Sequence, residues 1–249
     1  MHRSQGRDLI EQLEEFFDRG LVIGVEGLIR TGKEASVYLC RGGNSAGAEW
    51  VAAKVYRARQ YRFKNDAVYQ QARSRELGLR GRALRAMENK SDFGREVQGG
   101  TWRYREFETL QLLYEELCDV PRPIAAAGEA ILMEYIGDDE TAAPPLQRVR
   151  LDPGEAGPLF QRLMNNVETF LACNRVHGDL SPHNVLYWRG EPRVIDFPQA
   201  TDPRFNGDAR ELLGRDIANL CRYFAPYGVE ADAEGLASDL WERFRRGEL

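Results

Sequence analysis

A chain of 249 residues has room for one large domain or two small lobes, and 43% hydrophobic with 29% charged residues excludes wholesale disorder. A formal net charge of -5 excludes a chain-wide nucleic-acid clamp. No apolar run approaches the ~20 residues of a membrane span, and the charged N-terminus lacks a signal-peptide core, so no membrane partner is expected.

Residues 9–18 place Leu9, Ile10, Leu13, Phe16 and Phe17 at helical spacing. Strands are predicted over 21–28, over the alternation of Ala35, Val37 and Leu39, and over 50–56, with a turn at Arg41-Gly42-Gly43-Asn44. Residues 57–100 break the pattern and form a basic insertion. Between 57 and 105 there are 11 Arg and 2 Lys against 5 acidic residues. A helix follows over 101–117, stopped by Pro121-Arg122-Pro123. A short strand is expected over 131–136, then an acidic connector from Gly137 to Pro145. Further on, a long helix spans 155–174, two short strands cover 185–188 and 193–197, and helices near 208–225 and 232–246 finish the chain. Strands dominate the first part and helices the second. The fold class is therefore α+β, with an N-lobe over 1–136 and a C-lobe over 137–249. Cys40, Cys118, Cys173 and Cys221 are widely spaced and form no CxxC pair, so they read as reduced core thiols and the location as cytoplasmic.

The most informative stretch is Val176-His177-Gly178-Asp179-Leu180-Ser181-Pro182-His183-Asn184, followed by Val194-Ile195-Asp196-Phe197. Phosphoryl transfer needs a carboxylate to orient the acceptor and take its proton. It also needs an amide oxygen and a second carboxylate to hold the cation on the phosphates. Asp179, Asn184 and Asp196 supply that set at the spacing of a kinase catalytic loop and the metal-binding Asp after it. His177 and His183 have no third ligand at zinc spacing.

Residues 27–34, Gly27 to Glu34, nearly fit a phosphate loop of the G-x-x-x-x-G-K-[ST] type, but Glu34 stands where a hydroxyl is required. A glycine-containing hairpin fits better, with the backbone amides of Thr31, Gly32, Lys33, Glu34 and Ala35 turned to phosphate oxygens. In Val51-Ala52-Ala53-Lys54, alternation puts Ala52 and Lys54 on one face. A small residue there admits a flat adenine, and an ammonium two positions on reaches phosphates. Glu106 lies on the inward stripe of the 101–117 helix and is the candidate partner of Lys54, with Glu108 two residues away as its rival. Asp216 either receives backbone amides of the 177–184 loop or caps its own helix.

Together these residues resemble the RIO family of atypical protein kinases over roughly 20–225. The resemblance rests on Thr31-Gly32-Lys33-Glu34-Ala35, on the insertion between Lys54 and the Glu106 helix, and on Met133 to Ile136 followed by Gly137-Asp138-Asp139-Glu140 and Ala143-Pro144-Pro145-Leu146. It also rests on the 177–184 loop, Ile195-Asp196-Phe197-Pro198-Gln199 and Gly214-Arg215-Asp216-Ile217-Ala218-Asn219. It implies a bilobal protein-kinase-like fold using ATP and Mg2+, with Mn2+ as a substitute ion. It implies a serine/threonine kinase or ATPase in which Asp179 is catalytic, Asn184 and Asp196 bind metal, and Lys54 contacts phosphates. Met133 would border the adenine, with backbone groups of Glu134 and Ile136 meeting its edge. The acceptor would be another protein or the chain itself; separately, the local charge of the basic insertion suits docking on RNA or an acidic partner. The compact chain resembles bacterial or archaeal members.

Two other readings stay open. A small-molecule phosphotransferase of the aminoglycoside or choline kinase kind shares the His-Gly-Asp…Asn signature, although only 53 residues follow Asp196 to build an acceptor pocket. A nucleotide-gated assembly factor would keep the site without the chemistry.

Overall fold

The computed structural model describes residues 2–57, 105–139, 141–152 and 154–249. The basic insertion read over 57–100 therefore lies outside the described residues except for Arg57, as do residues 101–104 of the helix expected over 101–117. The described residues group into two compact units. One holds 2–57, 105–108 and 121–142, and the other holds 109–120 and 143–249.

In the first unit, helix α1 (His2–Asp18) buries Leu13 and Phe16 completely. Gly20 ends it in the left-handed region at φ 63, donating to the Phe17 carbonyl while Leu21 donates to that of Phe16. This pair of bonds satisfies two terminal carbonyls, and glycine takes the conformation without strain. Five antiparallel strands follow: β1 (Val22–Thr31), β2 (Ala35–Gly42), β3 (Trp50–Tyr56), β4 (Pro123–Ala127) and β5 (Ala130–Glu134), in sheet order β1-β2-β3-β5-β4. Val51, Ala53 and Val55 of β3 join Leu13, Phe16, Val22 and Leu132 in one apolar cluster. The period of two then commits Ala52, Lys54 and Tyr56 to the opposite face.

Strand β4 is absent from the sequence reading, which treats Pro121 to Pro123 only as a helix stop. The strand lies at the sheet edge and opens with Pro123, where a missing N–H is tolerated. The strand expected over 131–136 runs instead over Ala130–Glu134.

Helix α2 covers 105–115. Its end is closed by Leu117, which holds φ 58 and is 92% exposed. In the second unit, α3 (Ala156–Ala172), α4 (Ala209–Phe224) and α5 (Ala233–Arg246) pack on one another, and β6 (Val185–Trp188) and β7 (Glu191–Val194) form a two-stranded ladder. Leu163, Phe170, Leu171, Phe197, Ile217 and Phe224 are buried here, and Phe170 meets Phe197 edge-on with ring centres 5.7 Å apart. The strand expected over 193–197 ends at Val194, because Asp196 turns into the left-handed region. Among the described residues no helix is long and apolar enough to cross a membrane.

Candidate active site

Each unit assembles one set of the candidate residues. In the first, the Lys54 ammonium lies 2.6 Å from Glu106 Oε1, with side-chain exposures of 10% and 2%. Two charges so deprived of water are tolerable only as a pair. Tyr56, two residues along the same face of β3, donates its hydroxyl to Glu106 Oε2. Both carboxylate oxygens are thus engaged. Glu108 is exposed, so Glu106 is the partner. Sequence reasoning singled out Lys54 but missed Tyr56, although the alternation 52, 54, 56 carried the signal.

Ladder register sets the neighbours of Lys54. Val37 and Ile131 flank it, and Leu39 and Met133 flank Ala52 in the next row. Ala52 and Met133 are both buried. The Glu134 N–H donates to the Arg122 carbonyl (2.8 Å), and its carboxylate accepts from the Arg122 N–H (3.0 Å). Glu134 therefore has no main-chain donor left for a ligand. Past Ile136, Gly137 takes φ 151, and a Cβ there would sit 2.4 Å from the Thr141 carbonyl oxygen, so only glycine fits this bend.

Thr31 to Ala35 form the tip of the β1–β2 hairpin. The Gly32 N–H donates to the Ala35 carbonyl (2.8 Å), closing the hairpin around Lys33 and Glu34. That bond corrects the expectation that every amide from Thr31 to Ala35 could face a phosphate, because Gly32 spends its donor on the turn. Lys33 is exposed at the tip.

In the second unit, Asn184 is the knot between two loops. Its amide nitrogen donates to the Asp179 main-chain oxygen at 2.9 Å and approaches Asp179 Oδ2 at 3.4 Å. The Asn184 main-chain carbonyl accepts from the Ile195 N–H at 2.9 Å, one residue before Asp196. Asp179, Asn184 and Asp196 are thereby tied together through backbone and side chain. With the Asn184 nitrogen turned to Asp179, its side-chain oxygen faces the other way. Asp196 has φ 73, a conformation that costs a non-glycine residue energy and that clusters at functional sites.

His177 bridges the same two loops. Its Nδ1 accepts from the Asp179 N–H (3.3 Å), and Nε2 lies 3.2 Å from the Ile195 carbonyl, which fixes the neutral Nε2–H tautomer. The ring packs at a tilt of 45° against Phe197, with ring centres 4.6 Å apart. Gly178, at φ 79, leaves no room for a side chain, since an added Cβ would meet the Gln199 carbonyl oxygen at 3.0 Å.

Helix α4 grips the loop from beneath. Asp216, 1% exposed, accepts from the N–H groups of Gly178 (2.7 Å) and Leu180 (2.8 Å). Asn219 donates to the Leu180 carbonyl (2.9 Å) and Arg215 to that of Gly178. Of the two roles left open for Asp216, the loop-binding one is observed. Burial pushes its carboxyl up to about 7, against the pull of the two amides and of Arg215.

The remaining chemistry is unreactive or hard. Burial pushes the Cys40 and Cys118 thiols up to about 12, so they stay protonated. Among the described residues no cluster of three or more His, Cys, Asp and Glu could hold a metal ion. One amide oxygen and one carboxylate, from Asn184 and Asp196, are the hard donors that suit Mg2+ with phosphate and water completing its shell.

Residues 36–236 match the family model described as the RIO domain. The RIO-type serine/threonine-protein kinase Rio1 of Haloferax volcanii is 32% identical over 214 residues, covering 84% of this chain and 66% of that protein. The serine/threonine-protein kinase RIO1 of Homo sapiens is 29% identical over 220 residues, covering 87% of this chain and 36% of that protein. The chain thus spans about two thirds of the archaeal relative and about a third of the human one. In fold it is similar to the Rio2 kinase of Chaetomium thermophilum in its ADP/Mg2+-phosphoaspartate complex, with a TM-score of 0.66 at 20% identity, covering 91% of this chain and 64% of that one. The family match takes in Lys54, Glu106, Asp179, Asn184 and Asp196 and runs through both compact units. On that match the chain belongs to the RIO domain family.

Proposed function

We propose that this chain is an ATP-dependent phosphotransferase of the RIO serine/threonine kinase type, acting on Mg-ATP in the cytoplasm, where its four free cysteines stay reduced. The observation that carries the reading is the hydrogen-bonded path from Asp179 through Asn184 to Ile195, beside Asp196. The names of the relatives, and the ADP and Mg2+ of the Rio2 complex, support it.

In this reading Asp179 is the catalytic residue. It orients the acceptor hydroxyl and takes its proton as the acceptor oxygen bonds to the γ-phosphorus and the bond to the β-phosphate oxygen breaks, releasing ADP. Asn184 and Asp196 hold the metal, Mg2+ or Mn2+, which supplies neutralisation of phosphate charge when bound. Lys54, fixed by Glu106 and Tyr56, neutralises charge on the α/β-phosphates. Ala52 and Met133 border the adenine, and since Glu134 has spent its N–H, the main-chain donor to the adenine edge falls to Ile136, with the Glu134 carbonyl as acceptor. The amides at the 33–35 end of the hairpin tip meet the phosphates. Beyond Arg57, the basic insertion read over 57–100 docks RNA or an acidic protein.

The test is incubation with γ-labelled ATP, alone and with protein, RNA-bound and aminoglycoside acceptors. Label on protein, this chain included, supports the kinase. A hydroxylamine-labile label on this chain that maps by peptide sequencing to Asp196 itself would assign a phosphoaspartate, the group carried by the Rio2 complex, to that residue. Label in free phosphate alone narrows the activity to an ATPase. Label on the aminoglycoside would overturn the proposal.

A further inference from the structure

The β1–β2 hairpin is held by a residue that belongs to neither of its strands. Arg57 directly follows β3. Its guanidinium donates to Thr31 Oγ1 at 2.7 Å and to Ser36 Oγ at 3.3 Å, and those two hydroxyls lie 2.8 Å apart. Its main-chain N–H donates to the Glu34 carbonyl at 2.9 Å. One residue thus engages both strands at the hairpin neck and the tip itself.

The register says which side the grip comes from. Thr31 and Ser36 are paired across β1 and β2, and Ser36 pairs with Val55, a member of the apolar cluster under the sheet. Val37, the next residue, pairs with Lys54. Arg57 therefore binds hydroxyls on the face opposite Lys54. It can set the hairpin without occupying the face where the phosphate-neutralising ammonium lies.

We propose that Arg57 is a positioning residue for nucleotide phosphates, acting through Thr31, Ser36 and the Glu34 carbonyl to preset the hairpin tip. The proposal rests on the phosphotransferase reading above. A tip closed around Lys33 and Glu34 and exposed at Thr31, Gly32 and Lys33 loses backbone entropy when it orders on a ligand. Two charged hydrogen bonds from one guanidinium nitrogen, with the main-chain bond to Glu34, incur that loss at folding, before the nucleotide arrives. The advantage is confined to ligands that the tip touches. It extends to the β- and γ-phosphates and not to adenosine.

The experiment is calorimetric titration of the full chain with Mg-ATP, Mg-ADP and adenosine, alongside steady-state kinetics and a thermal melt. Arg57→Ala is expected to raise the Kd for ATP and ADP by about 3- to 10-fold. Adenosine affinity should be unchanged, with the effect on turnover in KM and not in kcat. Arg57→Lys keeps the charge on a shorter side chain with a more strongly hydrated head and should fall between. Ser36→Ala should show a smaller loss of the same kind, and it serves as the test should Arg57→Ala fail to fold. Equal losses for ATP and adenosine, an unchanged ATP Kd, or a loss confined to kcat would overturn the proposal. Failure of the unsubstituted chain to bind ATP while still binding adenosine, or neither, would instead overturn the phosphotransferase reading and take this proposal with it.

Discussion

Lys54 and Glu106 stand 52 residues apart in sequence and form a buried ion pair with 2.6 Å between ammonium and carboxylate. Removing one partner leaves a desolvated charge. Glu106→Ala is expected to destabilise the fold by about 3–5 kcal/mol, measured by urea denaturation. Tyr56→Phe removes one hydrogen bond to a charged group and should cost about 1.5–3 kcal/mol. An effect of Glu106→Ala below that of Tyr56→Phe would mean that the pair is not desolvated in solution.

Asp179→Asn preserves shape and removes the proton acceptor. Phosphoryl transfer should fall on the order of 10²–10⁴-fold while ATP affinity stays within about twofold. Single-turnover kinetics paired with calorimetry separate the two quantities. Near-normal transfer by a folded variant would remove Asp179 from the chemistry.

Asp196 and Leu117 are both left-handed without being glycine. Leu117 is almost wholly exposed, so Leu117→Gly sacrifices little burial and should raise stability by about 1 kcal/mol. Asp196→Gly should be more stable than Asp196→Ala by about 1–2 kcal/mol. Both Asp196 variants should lose Mg2+-dependent ATP binding alike. A stability gain with the binding intact would separate the strain from the metal role.

The Asp216 carboxyl carries a pH prediction. Its value in the fold, about 7, exceeds the 3.8 of the unfolded chain, so between those values the native state retains a proton that the unfolded state has released. Its contribution to stability is whole below pH about 4, declines as pH rises and is gone above about 7. Asp216→Asn does not titrate. The lead in melting temperature of the unsubstituted chain over this variant should shrink from pH 4 to 7 and then level off. A lead that grew over that interval would mean that the two amide donors outweigh burial.

Legibility in the sequence followed the range of the forces involved. Strand alternation was enough to place Ala52 and Lys54 together on the face opposite Val51, Ala53 and Val55, because period two is a local property. The spacing of Asp179, Asn184 and Asp196 could be read because one loop and one short ladder carry all three. Strand β4 was hidden because its stability comes from pairing with β5 at the sheet edge, while four of its five residues, Pro123 and three alanines beside Ile124, carry little strand signal. The choice between Glu106 and Glu108 turned on burial, a tertiary quantity. The grip of Arg57 on the hairpin also depends on contacts across two strands, so a lone arginine at the head of an arginine-rich stretch gave no sign of it.

Both ring nitrogens of His177 are engaged by the backbone, one as acceptor and one as donor. A second proton could enter the ring only by breaking its bond to the Asp179 amide. The imidazole next to Asp179 is therefore a rivet that holds two loops together, and not a relay.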